Sequence, residues 1–195
     1  MKLVLATANP DKAVEIVDVL GGLGFELVPR PAEVGEVDET GTTLEENARL
    51  KARALVEATG AAAVSDDTGL EVFALGGAPG VYSSRYAGEH ATYEDNCRKL
   101  LAALASSSVG DRRARFVTVA MVCFPDGTEV AGVGEMHGTI TDAPRGENGF
   151  GYDPVFVPDD GDGRTYAEMT TTEKDAISHR GRALRALAAK LAPRP

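Results

Sequence analysis

One stretch, Val64-Ser65-Asp66-Asp67-Thr68-Gly69-Leu70, limits what this chain can fold into more than any other. A short apolar run, residues 61–64, suits a buried strand, and it breaks into two adjacent carboxylates, a hydroxyl and a glycine. Two neighbouring aspartates at a strand end repel each other and call for a counter-charge. A divalent cation on oxygen ligands, Mg²⁺ first among them, supplies one. The competing reading is a plain turn between two strands, because Asp and Gly are residues that turns favour. On this stretch alone both readings stay open. The other polar clusters of the chain weigh toward the first only if they converge on the same acidic corner.

The 195 residues suit one domain, spanning 1–195, or one domain with a small lobe. A chain of this length buries roughly 70% of the surface its unfolded form exposes and needs no metal or disulfide to hold it. A net charge of −10 argues against a nucleic-acid or anionic-membrane partner, since polyanion binding rests on clustered Lys and Arg. Any phosphate-bearing ligand must be caught locally. Cys97 and Cys123 show no metal-ligand spacing and read as reduced core residues. The N-terminal apolar run, residues 3–6, is too short for a signal peptide or a membrane span, so a cytoplasmic location is expected.

In chain order, residues 2–6 read as a buried strand, followed by a turn, an N-cap at Asn9 and Pro10 at the first helical position. The helix that follows buries Ala13, Ile16, Val17 and Leu20, and its N-terminus offers backbone N–H groups to an anion. Lys12 lies where the macrodipole disfavours a cation, which is easier to explain by a phosphate contact than by a solvated lysine, the alternative. A second strand spans 25–28, and the acidic loop after it carries Glu36, Asp38 and Glu39. Thr43 and Glu46 form a capping-box pattern opening a second helix that Gly60 ends. On that helix Asn47 and Lys51 either face a cleft or form an exposed polar face, the latter fitting Asn47 better. Residues 70–73 read as an edge strand, Thr92 as the cap of a third helix, and 115–124 with 128–140 as a long hairpin. Gly132 and Gly134 inside the hairpin match no dinucleotide fingerprint, because no helix follows. In the segment from Gly149 to Pro154, aromatic residues beside glycine suit stacking on a base, with core packing of Phe150 the alternative. Lys174, His179 and Arg180 collect near a last helix N-terminus, where cations cost stability unless an anion neutralises them. The economical fold is one α/β unit with a mixed sheet and an inserted or flanking lobe.

Seven ordered motifs carry a resemblance that runs almost from end to end. They are Thr7-x-Asn9-x-x-Lys12-x-x-Glu15, Glu39-Thr40-Gly41, Glu46-Asn47-Ala48-x-x-Lys51-Ala52, residues 65–70, residues 76–80, residues 149–154 and Ser178-His179-Arg180-Gly181. Together they resemble the inosine triphosphate pyrophosphatase family. The resemblance implies hydrolysis of non-standard purine nucleoside triphosphates (ITP, dITP, XTP) to the monophosphate and pyrophosphate with Mg²⁺. It implies an elongated mixed β-sheet flanked by helices, two lobes around a central cleft, and a homodimer. By position, Asp67 matches the catalytic carboxylate, with Glu39 and Asp67 on the metal and Asp66 assisting. Thr7, Ala8, Asn9, Pro10, Asp11 and Lys12 match the phosphate turn, and Thr68 a substrate contact. Phe150, Gly151, Tyr152 and Asp153 match the nucleoside wall; Lys174, His179 and Arg180 match the remaining contacts. Thr68 stands where serine is common, which keeps the hydroxyl, and Ala8 where glycine is common. A pyrophosphatase for modified pyrimidine nucleotides and a non-catalytic nucleotide-binding module are the rival readings; the doubled carboxylate favours an enzyme, since a pure phosphate binder gains nothing from anions.

Overall fold

A computed structural model describes residues 1–191. The elements run β1 (Lys2–Leu5), α1 (Pro10–Gly22), β2 (Glu26–Val28), α2 (Leu44–Thr59), β3 (Ala63–Val72), β4 (Pro79–Gly80), α3 (Tyr93–Ala105), β5 (Arg113–Cys123), β6 (Glu129–Ile140), β7 (Phe156–Pro158), α4 (Thr171–Ile177) and α5 (His179–Leu191). The strands form one mixed sheet in the order β2-β1-β3-β5-β6-β7, with β4 pairing β3. β1 runs parallel to β2 and β3, whereas β4 is antiparallel to β3 and β7 to β6. No helix among the described residues is long and apolar enough to cross a membrane.

The helix punctuation follows the sequence. Asn9 caps α1, Thr43–Glu46 close a capping box on α2, Gly60 ends α2 in the left-handed conformation, and Thr92 caps α3. Both cysteines are buried and unbridged, and burial pushes the Cys97 thiol up to about 12.

The chain divides into two compact units: residues 1–67, 118–134 and 179 onward form the first, and 68–117 with 135–178 the second. In the first unit, side chains alternate between two layers, as a strand requires. Leu3, Leu5, Val64, Ala120 and Val122 pack with Ile16 and Leu20 of α1 and Leu184 and Leu187 of α5. Val4 and Ala63 turn the other way onto Leu55 of α2; Val119, Met121 and Cys123 do so onto Ala48 and Ala52. Helix α5 comes so close to β6 that a Cβ at Gly132 or Gly134 would run into its backbone, at Ala183 and Leu187 or at His179 and Ala183. The second unit has its own core, in which Phe156 stacks on Tyr166 and meets Phe116 edge-on, and Leu70, Leu100, Met136 and Met169 belong to the same cluster.

Three expectations are corrected, the first being Val17, which is 41% exposed and not part of the buried stripe of α1. Residues 63–72 form one unbroken strand with neighbours on both sides, so Asp66 and Asp67 lie inside a strand and not at its end, and 70–73 is no separate edge strand. The strand can continue because each carboxylate meets its own cations, as described below. Asn47 is fully buried, not exposed.

Candidate active site

Strand alternation sends Asp66 and Asp67 of the first unit to opposite faces. Asp66 shares the face of Val64, beneath α1 and α5, and is 1% exposed. Lys12 Nζ of α1 lies 3.4 Å from its Oδ2 and Arg180 Nε of α5 donates to the same atom at 3.0 Å. Arg180 also donates to Glu15, which is buried on α1. Burial alone would raise the Asp66 pKa, but Lys12 and Arg180 overcome it and hold the carboxyl well below the usual carboxylate range. Lys12, by contrast, is lowered: burial outweighs the attraction of Asp66. The misplaced cation at the start of α1 thus has an internal partner. Asn9 Oδ1 takes the Asp11 and Lys12 amides at 2.9 and 3.2 Å, so the turn satisfies two of the N–H groups it offered to an anion. Thr7 Oγ1 accepts from Asn9 N at 3.1 Å, and Ala8, Pro10 and Asp11 are exposed. Buried Thr118 on β5 and His179 on α5 share a hydrogen bond, Oγ1 to Nδ1, of 2.7 Å.

Asp67 faces α2. Lys51 Nζ donates to Asp67 Oδ1 at 2.8 Å and to Glu39 Oε1 at 2.7 Å, so one ammonium joins both carboxylates. Burial raises the Asp67 pKa; Glu39 adds to the rise and Lys51 opposes it. Burial works against the Lys51 ammonium, but Asp67, Asp66 and Glu39 raise its pKa overall. Two hard oxygen donors converging on one positive group are a donor set that fits a divalent cation which retains water and substrate phosphate ligands. Among the described residues no three His, Cys, Asp or Glu side chains gather as a metal site.

The second unit brings together Phe150, Asp153 and Lys174. Lys174 Nζ donates to Asp153 Oδ2 at 2.6 Å and stands 4.7 Å from the centroid of the Phe150 ring. The Phe150 amide donates to the same carboxylate oxygen at 2.9 Å. Gly149 is required here: its φ is 71°, and a Cβ would collide with Asp153. Tyr152 is a core residue whose hydroxyl donates to Ser83 O at 2.9 Å, while Gly151 is half-buried and its carbonyl accepts from Cys97 Sγ at 3.3 Å. Thr68 is half-buried in β3. The crowding of cations at one helix start is corrected. Lys174 belongs to the last turn of α4, the end a cation favours, and only His179 and Arg180 open α5.

Sequence reasoning undervalued Glu15, Asn47, Lys51 and Thr118. A carboxylate on the buried Ala13–Ile16–Leu20 stripe and a polar i,i+4 pair on an Ala-rich helix were visible signals for the first three. Thr118 lies in a β-branched run and carried none.

The Ham1 family profile matches residues 3–190. A dITP/XTP pyrophosphatase of Streptomyces coelicolor is 48% identical over 190 residues, covering 95% of this chain and 94% of that protein. One from Thermus thermophilus is 49% identical over 189 residues, covering 96% and 90%. Among solved structures, a HAM1 protein from Coxiella burnetii superposes with a TM-score of 0.89 at 41% identity, covering 98% of each chain. A nucleoside-triphosphatase / dITP/XTP pyrophosphatase from Mycobacterium abscessus gives 0.75 at 47% identity, covering 98% of this chain and 100% of that one. Matched over nearly its whole length by both profile and relatives, the chain belongs to the Ham1 family.

Proposed function

We propose that this chain hydrolyses ITP, dITP and XTP to the nucleoside monophosphate and pyrophosphate, removing non-standard purines from the nucleotide pool. The observation that carries the reading is Asp67, a buried carboxylate made more basic by burial, fixed by Lys51 and set beside Glu39. Water attacks the α-phosphorus, its proton passes to Asp67, and the bond to the bridging oxygen breaks to release pyrophosphate. A positioned general base of this kind is worth roughly 10²–10⁴-fold. Thr7 to Lys12 and Lys51 are assigned to the phosphates. Thr68, Phe150, Gly151, Tyr152, Asp153, Lys174, His179 and Arg180 are assigned to the rest of the substrate. Glu39 and Asp67 would hold Mg²⁺, which would supply neutralisation of phosphate charge. The resemblance to the pyrophosphatases further supports a homodimer and a cytoplasmic location.

Selectivity rests on the keto oxygen at C6 of hypoxanthine and xanthine, which a buried donor pairs with and which adenine replaces by an amino group, discriminating by roughly 10⁴-fold; guanine shares that oxygen, so its rejection rests on a second element, a wall or unpaired group met by its 2-amino substituent. The test compares kcat/KM for ITP, dITP, XTP, GTP and ATP at one Mg²⁺ concentration, with Asp67→Asn alongside. Rapid release of pyrophosphate from the first three, slow release from GTP and slower still from ATP is expected, with Asp67→Asn folded and about 10²–10⁴-fold slower. ATP cleaved as fast as ITP overturns the selectivity, and wild-type turnover in Asp67→Asn overturns the role of Asp67.

A further inference from the structure

Asn47 lies one helical turn before Lys51 on α2 and is fully buried. Hydrogen-bond chemistry fixes its amide orientation. The Gly41 N–H can only donate, so Oδ1 faces it at 2.8 Å, and Nδ2 is left to donate to Asp67 Oδ2 at 3.4 Å. The other oxygen of Asp67 takes the short bond from the Lys51 ammonium. One carboxylate oxygen therefore sits in a short, charge-assisted bond and the other in a long contact from a neutral donor.

The same amide holds a stretch of backbone. Position 41 has no room for a side chain, because a Cβ would lie 2.6 Å from Asn47 Oδ1 and 2.7 Å from Glu46 Cβ. The next residues are tied down as well, with Thr42 N and Thr43 N donating to Glu46 Oε2 at 2.7 and 3.2 Å. Glu39 stands two residues before Gly41. Asn47 thus joins the segment that carries Glu39 to the carboxylate of Asp67.

We propose that Asn47 is a positioning residue: it aims Asp67 Oδ2 as the atom that accepts the proton of the attacking water, and it holds the Glu39 segment in register with Asp67. The inference rests on the hydrolase reading above. A second ammonium at this place would draw charge from Oδ2, whereas a neutral amide at long range orients the oxygen and leaves a lone pair to the water. In the step the water oxygen bonds to phosphorus, the bridging oxygen departs with pyrophosphate, and the water proton moves to Oδ2.

Two variants separate the two contacts. Asn47→Asp keeps an acceptor for the Gly41 N–H, loses the donor to Asp67 and sets a second carboxylate against it; Asn47→Ala loses both contacts and adds no charge. With ITP, kcat is expected to fall about 10- to 100-fold in each while KM stays within about twofold, the signature of a misplaced reacting group. Hydrogen exchange at the Gly41 amide, followed by NMR without nucleotide, should quicken at least about tenfold in Asn47→Ala and stay near wild type in Asn47→Asp. Unchanged kcat in either variant, with only thermal stability lost, overturns the positioning role, and unchanged Gly41 exchange in Asn47→Ala overturns the clamp. If the wild-type protein releases no pyrophosphate from ITP, the hydrolase reading fails instead. The clamp is then judged on Gly41 exchange and on the ¹³C shift of the Asp67 carboxyl carbon, which must move in Asn47→Ala, where no new charge arises, if Asn47 donates to it.

Discussion

Asp66 and Asp67 are adjacent in the chain, but they belong to different electrostatic surroundings. Asp66 is pulled below its ordinary pKa of 3.8 against the cost of burial, by Lys12 and then Arg180, whereas burial takes Asp67 above that value. The first shift carries a stability consequence with a definite sign. The folded pKa of Asp66 lies below the unfolded one, so in the acid range the unfolded chain binds more protons. The stabilisation is complete above about pH 5 and is lost as pH falls from there through the folded pKa. Asp66→Asn leaves Arg180 with one carboxylate fewer and should cost about 3–5 kcal/mol at neutral pH, the range for breaking a buried pair. Urea unfolding of wild type and variant across pH 3–7 checks this: the gap between them should narrow on acidification, and a gap that stays constant rules the ion pair out as its source. The sequence showed both aspartates as one doubled charge wanting a metal. Alternation along a strand read as continuing past them would have separated the pair, but the Asp-Thr-Gly pattern argued for a break. The cations that make a break unnecessary stand far away in sequence, Arg180 being 114 residues from Asp66.

At the scale of elements, local signals carried what local physics decides. The caps at Asn9, Thr43 and Thr92, the left-handed stop at Gly60 and the hairpin around 125–127 each need only a few neighbouring residues, and each stands where the sequence placed it. The glycines of β6 were legible only as a failed nucleotide motif, because their reason is a helix that begins 45 residues after Gly134 in the numbering of the chain. That helix, α5, lays His179 O and Ala183 N where a Cβ of residue 134 would go. Backbone atoms cannot rotate away as a side chain can. Gly134→Ala should therefore destabilise by roughly 1–3 kcal/mol or more through overpacking. Gly21→Ala in α1, where nothing lies within 4 Å, should be neutral or gain up to about 1 kcal/mol from helix propensity. Thermal or urea unfolding of the two variants side by side decides the matter; equal effects would mean that α5 yields to the added methyl. The close approach bears on the site, since the first turn of α5 carries His179 and Arg180.

For the molecule as a whole, charge balance governs which ligand form can bind. The chain carries −10 at pH 7. Within the first unit, the polar cluster sets Glu15, Glu39, Asp66 and Asp67 against Lys12, Lys51 and Arg180, so the carboxylates outnumber the cations and each cation has an acidic partner. Composition alone suggested that phosphate must be caught locally, and the cationic residues looked like the means. Their partners, set by contacts between distant segments, were hidden in the sequence. A bare polyphosphate meeting this cluster gains attraction to lysines already neutralised and repulsion from carboxylates a few ångströms behind them. The favourable ligand is one that brings positive charge with it, to be shared with Glu39 and Asp67. Inorganic pyrophosphate is a probe free of any base or turnover. In chelator it should leave Tm close to that of the ligand-free protein, and with Mg²⁺ it should raise it. Saturation at 100 times Kd stabilises by about 2.7 kcal/mol. At about 2–4 °C per kcal/mol for a chain of this size, that is a rise of roughly 5–10 °C. Mg²⁺ without pyrophosphate serves as the control for ionic strength, and Glu39→Gln should shrink the rise by removing one of the two carboxylates. A rise with pyrophosphate in chelator as large as the rise with Mg²⁺ would show that Lys12, Lys51 and Arg180 leave their carboxylates readily enough to bind phosphate unaided, and the charge argument would fail.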